Sequence, residues 1–296
     1  KETITSSGLK IVEHMEKSPS RKKEGLLLVS DYRVEIFDYR TNQRKIMYSY
    51  RNDPHRGRVM TNIHLFAFKG KHRFFRNEVL LQRFFFKQLM EEFPETKTII
   101  IDRGEESEAA LYDHCPPEIK LIEIVHADHL SDRDVPRAPL WNNYYEYAFS
   151  QHKHVKFYVT STDTQNELLK KQFKKYQGIA PKIVTIPVGS IDEIKRPKKG
   201  RKKHSLITAS RLADEKHVDW LIDAVAAARE KVKDISLDIY GKGGEENKLK
   251  EQIKQLHCED YVRLCGQKNL QEIYKNYEAY LSGSTSEGFG LTLMEA

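Results

Sequence analysis

From Thr98 onward, short apolar runs alternate with stretches whose hydrophobic residues recur at helical spacing. "TIIID", "LIEIVHAD", "KFYVTST" and "KIVTIP" read as buried strands, and "DTQNELLKKQFKKY" reads as the helix between the third and the fourth. After a basic stretch the same grammar restarts. "HSLITAS", "SLDIYG", "YVRLCG" and "AYLSGS" read as strands; "VDWLIDAVAAAREKV", "EENKLKEQIKQLH" and "LQEIYKNY" read as helices. Strands that alternate with helices form parallel, doubly wound sheets, because each crossover helix covers a face of the sheet. The chain is therefore read as α/β, with two Rossmann-like lobes.

The stretch before Thr98 follows another pattern. "LLLVSDYRVEIFDYR", "RKIMYSY" and "NIHLFAFKGKHRFF" carry β-branched and aromatic residues in partial alternation, with turn residues between them. They predict an antiparallel meander. "NEVLLQRFFFKQLMEEF" switches to helical period and stops before Pro94, and its Phe84, Phe85 and Phe86 are expected in the core. The segments are accordingly 1–24, an N-terminal segment; 25–72, a β-rich extension; 73–192, one Rossmann-like lobe; 193–203, a basic connector; and 204–296, a second lobe.

Composition narrows the partners. The net charge of +7 suits an anionic partner such as a nucleotide, a phosphate polymer or a membrane face, and peripheral membrane association is one such reading. The densest basic run, "KRPKKGRKK", contains Pro197 and Gly200 and reads as a connector; no zinc-ligand spacing or RNA-binding signature accompanies it, so nucleic acid is set aside. No apolar run is long enough to cross a bilayer. The three cysteines are unpatterned, which points to free thiols in a reducing compartment, the cytoplasm.

Ligands of open α/β sheets bind outside the carboxyl ends of the strands. Three turns of the second lobe carry suitable chemistry there. Arg211 and Lys216 follow the first strand and offer two cations to a diphosphate. Gly241, Gly243 and Gly244 follow the next and permit close approach of the backbone. The closing stretch "STSEGFGLTLMEA" places Glu287 before Gly288, Phe289 and Gly290, starts a helix near Leu291, and puts Glu295 on it. A helix start exposes unpaired amides to an anion, and the two glutamates can accept hydrogen bonds from sugar hydroxyls.

An E-x7-E pair after a strand, with Arg and Lys earlier in the lobe, resembles the retaining glycosyltransferases of family four, which have the GT-B fold. "IEIVHADHLSD", "LWNNYYEY", "TSTDTQNELLKKQFKKY", "PKIVTIPVGSID", "SLITASRLADEKHVDWL" and "STSEGFGLTLMEA" together resemble the glycosyltransferases of the serine-rich-repeat adhesin (accessory Sec) pathway of Gram-positive bacteria. The resemblance is strong from Leu121 to Ala296 and weaker before. It implies transfer of N-acetylglucosamine from UDP-GlcNAc to Ser and Thr of an adhesin polypeptide in the cytoplasm, in complex with a catalytically silent glycosyltransferase-like subunit. It also implies a β-rich extension inserted in the first lobe, and a chain that lacks segments at both ends.

Carried over by residue, the resemblance implies that Arg211 and Lys216 bind the donor diphosphate and Glu287 holds the sugar hydroxyls. The amides of Gly288, Phe289, Gly290 and Leu291 would face the phosphate and sugar, Glu295 the ribose, and Gly266 and Gln267 the uracil. His126, with His129 as a second candidate, would face the sugar from the other lobe. Asp132 and Asp134 form a D-x-D, a pattern common by chance; no metal and no cofactor besides the UDP-sugar substrate is expected. Three alternatives stay open: UDP-glucose as donor to the same acceptor, a teichoic-acid α-glycosyltransferase, and a silent binding subunit.

Overall fold

A computed structural model of the chain describes residues 1–20, 23–53, 55, 57–102, 104, 106–126, 128–130, 141–142, 144–189, 194 and 200–296. The chain divides into two compact units, residues 1–122 with 144–156, and residues 123–143 with 157–296.

The first unit holds a six-stranded antiparallel sheet whose strands pair in chain order: β1 (Glu2–Ile4), β2 (Leu9–Pro19), β3 (Leu27–Asp38), β4 (Arg44–Asp53), β5 (Gly57–Phe68) and β6 (Lys71–Asn77). The sheet thus begins well before the meander expected from residue 25. The missed strand β2 carries "EHMEKS" at its centre and is too polar there to announce itself. The tightest hairpin joins Phe68 to Lys71 through Lys69 and Gly70, both with positive φ. That backbone twist matches the twist of the strands it joins.

One face of the sheet packs on α1 (Glu78–Glu92). Ile63 is fully buried, and the Phe84 ring meets Phe68 and Phe75 at 5.4 and 5.3 Å. Phe85 does not join this core: it is exposed, contrary to the expectation for all three phenylalanines. Consecutive helical residues diverge by 100°, so three in a row cannot share one stripe. Asn77 starts the helix by accepting a hydrogen bond from Leu80 N at 3.1 Å.

Glu35 on β3 is almost fully buried. It accepts from Arg33 at 2.9 Å and lies 2.8 Å from His14 Nε2 and 3.1 Å from Arg44 Nη1. Burial alone would raise its carboxyl, but the hydrogen bonds from Arg33 and His14 and the charges of Arg33 and Arg44 outweigh burial and hold it below its ordinary range. A depressed folded-state value contributes stability above the unfolded value of about 4.3, and that contribution is lost as pH falls through the folded value. Glu35→Gln is therefore expected to lower the melting temperature near neutral pH by the equivalent of about 1–3 kcal/mol. Melting curves recorded down to about pH 3 should show wild type and variant converging.

The elements that follow alternate strands with helices. β7 (Thr98–Asp102), α2 (Glu106–Leu111), β8 (Lys120–Val125), α3 (Glu146–Ser150), β9 (Val155–Thr160), α4 (Asp163–Gln177) and β10 (Ile183–Thr185) give a sheet of order β10-β9-β8-β7. Thr162 caps α4, accepting from Gln165 N at 3.2 Å, and Gly178 ends it in the left-handed region.

β11 (Ser205–Ala209), α5 (Val218–Ala228), β12 (Ser236–Tyr240), α6 (Glu246–Gln255), β13 (Val262–Gly266), β14 (Ala279–Tyr280) and α7 (Leu291–Glu295) give an all-parallel sheet of order β13-β12-β11-β14. Leu212, Ile222, Leu237, Ile239 and Ile253 form its core. The helix expected over "LQEIYKNY" is only a 3-10 turn, Tyr274–Asn276. Tyr277 leaves it extended, and its hydroxyl donates to Asp238 at 2.5 Å. The strand expected over "AYLSGS" is two residues long. Among the described residues, no helix is long and apolar enough to cross a membrane.

Candidate functional site

The order β13-β12-β11-β14 places β12 and β13 on one side of β11 and β14 on the other. Such a reversal opens a crevice at the carboxyl ends of the two strands flanking it. The turn after β11 carries Arg211 and Lys216; the turn after β14 carries Glu287.

The fold brings Lys216 and Glu287 together across seventy-one residues of sequence. Lys216 Nζ donates to Glu287 Oε1 at 2.8 Å and to the Ser286 carbonyl at 3.1 Å. The Lys216 side chain is only 11% exposed, so its ammonium is fixed rather than solvated. Its backbone is set by a 3-10 turn, Asp214–Lys216, which ends at His217 with φ +43°. Left-handed backbone is unfavourable for a residue with a side chain. Here His217 stacks on Trp220 at 3.7 Å between centroids and lies 3.7 Å from Asp219.

Arg211 is placed differently. Its side chain is 77% exposed and donates to Glu215 Oε1 at 2.9 Å. An exposed pair of this kind is weak and easily exchanged for a phosphate. Glu215 also accepts Thr285 N through its carbonyl at 3.1 Å, which ties the Arg211–Lys216 turn to the Glu287 turn. Gly283 makes that approach possible: a Cβ there would lie 2.8 Å from the His217 carbonyl oxygen.

The remaining candidates lie at or after the ends of β8, β12 and β13, in the turn before α7 and on α7 itself. Gly241 and Gly243 press against the main chain of Ser210 and Leu212, which seats the turn after β12 on the turn after β11. Gly266 ends β13, and its carbonyl accepts Gly241 N at 3.0 Å; Gln267 beside it is exposed. Gly290, in the left-handed region, precedes α7, while Gly288 and Phe289 are half-buried and Leu291 is exposed. Phe289, Leu291 and Met294 converge on Gly189, where a Cβ would lie within 2.9 Å of each side chain. Glu295 is exposed at the end of α7, and burial together with its charge holds the Tyr274 phenol above its ordinary range. His126 is half-buried directly after β8. His129 is fully buried, with Nε2 2.7 Å from Gln172 Oε1 on α4. Asp132 and Asp134 lie outside the described residues, as does most of the basic connector.

Sequence reading missed Gly189, Glu215, Gly283 and Ser286. Gly283 and Ser286 sit in the small-residue run "SGSTSEG", whose only signal was that so compact a run lets backbones meet.

Two Rossmann-type windings and an antiparallel extension define the architecture: the chain has the GT-B fold of glycosyltransferases. Residues 190–296 match the family described as glycosyl transferases group 1. The chain is similar to the UDP-N-acetylglucosamine–peptide N-acetylglucosaminyltransferase GtfA subunits. It is 46% identical to that of Streptococcus parasanguinis over 211 residues, covering 70% of this chain and 42% of the relative. The crystal structure of the pneumococcal O-GlcNAc transferase GtfA in complex with UDP and GlcNAc matches with a TM-score of 0.69 and 33% identity, covering all of this chain and 64% of that one. A GtfA/B complex matches with a TM-score of 0.69 and 34% identity over 98% of this chain and 60% of that one. The chain spans about two fifths of the length of the curated relative.

Proposed function

We propose that this chain belongs to a retaining protein O-glycosyltransferase that moves N-acetylglucosamine from UDP-GlcNAc to Ser and Thr hydroxyls of a serine-rich-repeat adhesin. The observation that carries this reading is the Lys216–Glu287 pair at the switch point, on a chain similar to GtfA subunits. Residues 204–296 would handle the donor, and residues 73–192 would form the acceptor-side lobe.

The chemistry follows from the charges. Breaking the bond between the anomeric carbon and the phosphate oxygen leaves an oxocarbenium-like sugar and a UDP anion. Lys216, Arg211 and the amides of 288–291 would meet the charge that grows on the phosphate. Glu287 would orient the sugar through its hydroxyls, Glu295 the ribose, and the Gly266–Gln267 backbone the uracil. His126 would face the sugar from the acceptor side. The acceptor oxygen bonds to the anomeric carbon on the face the phosphate leaves, and its proton passes to the departing phosphate. Configuration is thereby retained without a side-chain nucleophile.

The similarity to a GtfA/B complex supports a second, glycosyltransferase-like subunit as partner. The three free cysteines support a cytoplasmic setting, and the net charge allows peripheral contact with an anionic membrane face. The test is a panel of UDP-sugars offered to the full-length protein, with and without that subunit, using an adhesin peptide as acceptor. Preference for UDP-glucose, or transfer only to a polyol phosphate, would replace this reading; binding of UDP without turnover of any donor would make the chain a silent subunit.

Because side chains and amides already supply positive charge to the diphosphate, transfer is expected to keep more than half its rate in excess EDTA. Loss of activity on chelation, restored by Mn²⁺, would instead point to Asp132 and Asp134.

A further inference from the structure

Ser286 is held from two directions. Its carbonyl accepts Lys216 Nζ at 3.1 Å, and its hydroxyl donates to Asp128 Oδ2 at 3.3 Å. The second bond joins the turn after β14 to the turn after β8, two residues beyond His126, across 158 positions of sequence. Both ends lie in the second compact unit.

Asp128 is itself anchored. Its other carboxylate oxygen accepts Leu130 N at 3.2 Å, and its carbonyl accepts Asn142 Nδ2 at 2.6 Å. Asn142 N donates to the His129 carbonyl at 2.9 Å, and the buried His129 ring and the Trp141 indole both meet Gln172 Oε1 on α4. The carboxylate that reaches Ser286 is thus connected through hydrogen bonds to the helix behind it. On the other side, Lys216 and Glu215 hold the same turn from the β11 end.

We propose that Asp128 is a positioning residue that fixes the Ser286–Glu287 turn relative to the turn carrying His126. The inference rests on the glycosyltransferase reading of this site. UDP would be held by groups of the β11–β14 end, so losing the Asp128 bond should leave UDP binding intact. What is lost is the alignment of Glu287 and the sugar with the acceptor-side turn, and misalignment of this kind lowers the chemical step. An interaction of that type shows as a fall in kcat with little change in donor affinity.

The experiment compares Asp128→Ala, Ser286→Ala, the double variant and Ser286→Thr, which keeps a hydroxyl, in the full-length protein with its partner subunit. Each alanine variant is expected to lower kcat about tenfold with UDP affinity within about twofold. The double variant should be no worse than either single one, and Ser286→Thr should recover most of the rate. Amide hydrogen exchange gives a readout independent of turnover: Asp128→Ala should speed exchange over 283–290, and Ser286→Ala over 128–130 and 141–142. Additive losses, an equal fall in UDP affinity, or exchange unchanged at the far turn would each overturn the proposal. A wild type that transfers from none of the UDP-sugars would sink the functional reading, while the exchange data would still decide whether the link exists.

Discussion

Lys216→Ala and Glu287→Gln are each expected to lower transfer by about 10²–10³, with the fold intact. Lys216 is nearly buried, touches two acceptors of the opposite turn and has its backbone set by the 3-10 turn before His217. Its charge is therefore in place before a donor arrives, which is the condition under which a cation contributes most to a transition state. Glu287→Gln keeps size and one acceptor oxygen but removes the charge that Lys216 faces. The two variants should differ in kind. Loss of Lys216 should weaken UDP itself, measured by titration, whereas Glu287→Gln should leave UDP binding nearly unchanged and reduce turnover of the UDP-sugar. Arg211→Ala should cost less than Lys216→Ala, because Arg211 is mostly exposed and paired with Glu215. Activity within a few-fold of wild type for both Lys216→Ala and Glu287→Gln would remove the site from these turns.

The windings were legible because β8, β9, β11, β12 and β13 are short, apolar and bounded by turns, so that period and punctuation agree. β2 was not, because Met15, Glu16 and Lys17 are exposed in succession and the register shifts between His14 and Met15, so that its second half shows no alternation. The two-residue β14 is shorter than its sequence suggests. "LSGSTS" has strand-compatible residues, but Gly283 turns aside to meet the His217 carbonyl. Lys216 and Glu287 could be named from strand ends and motif spacing. Their direct pairing could not, since it depends on β11 and β14 being neighbours, an order that no local pattern encodes. Asp128 and Ser286 lay further out of reach: each is an ordinary turn residue until tertiary contact joins them.

Gly241→Ala is expected to destabilise the second unit by about 3–5 kcal/mol, a large share of the about 5–15 kcal/mol that holds a typical domain folded. Two effects act together. Gly241 has φ +137°, a region that side-chain-bearing residues occupy only at a cost of about 1–3 kcal/mol. A Cβ there would also sit 1.8 Å from the Ser210 carbonyl oxygen, and because that atom is main chain no rotamer change can relieve it. Relief requires moving the β11 turn, which breaks the Ser210 N–Tyr240 O and Leu212 N–Lys242 O bonds at 3.1 and 3.0 Å. Those bonds hold the segment that carries Arg211 and leads to Lys216, so UDP binding should fall with stability. Gly244, three residues on, provides the internal control: its φ is ordinary and a Cβ would meet nothing within 4 Å. Gly244→Ala should therefore leave the denaturant midpoint nearly unchanged, or raise it slightly by restricting the unfolded chain. Equal midpoints for Gly241→Ala and Gly244→Ala in urea titrations would show that the β11 and β12 turns do not touch as described, and would separate the glycine-rich turn from the proposed donor site.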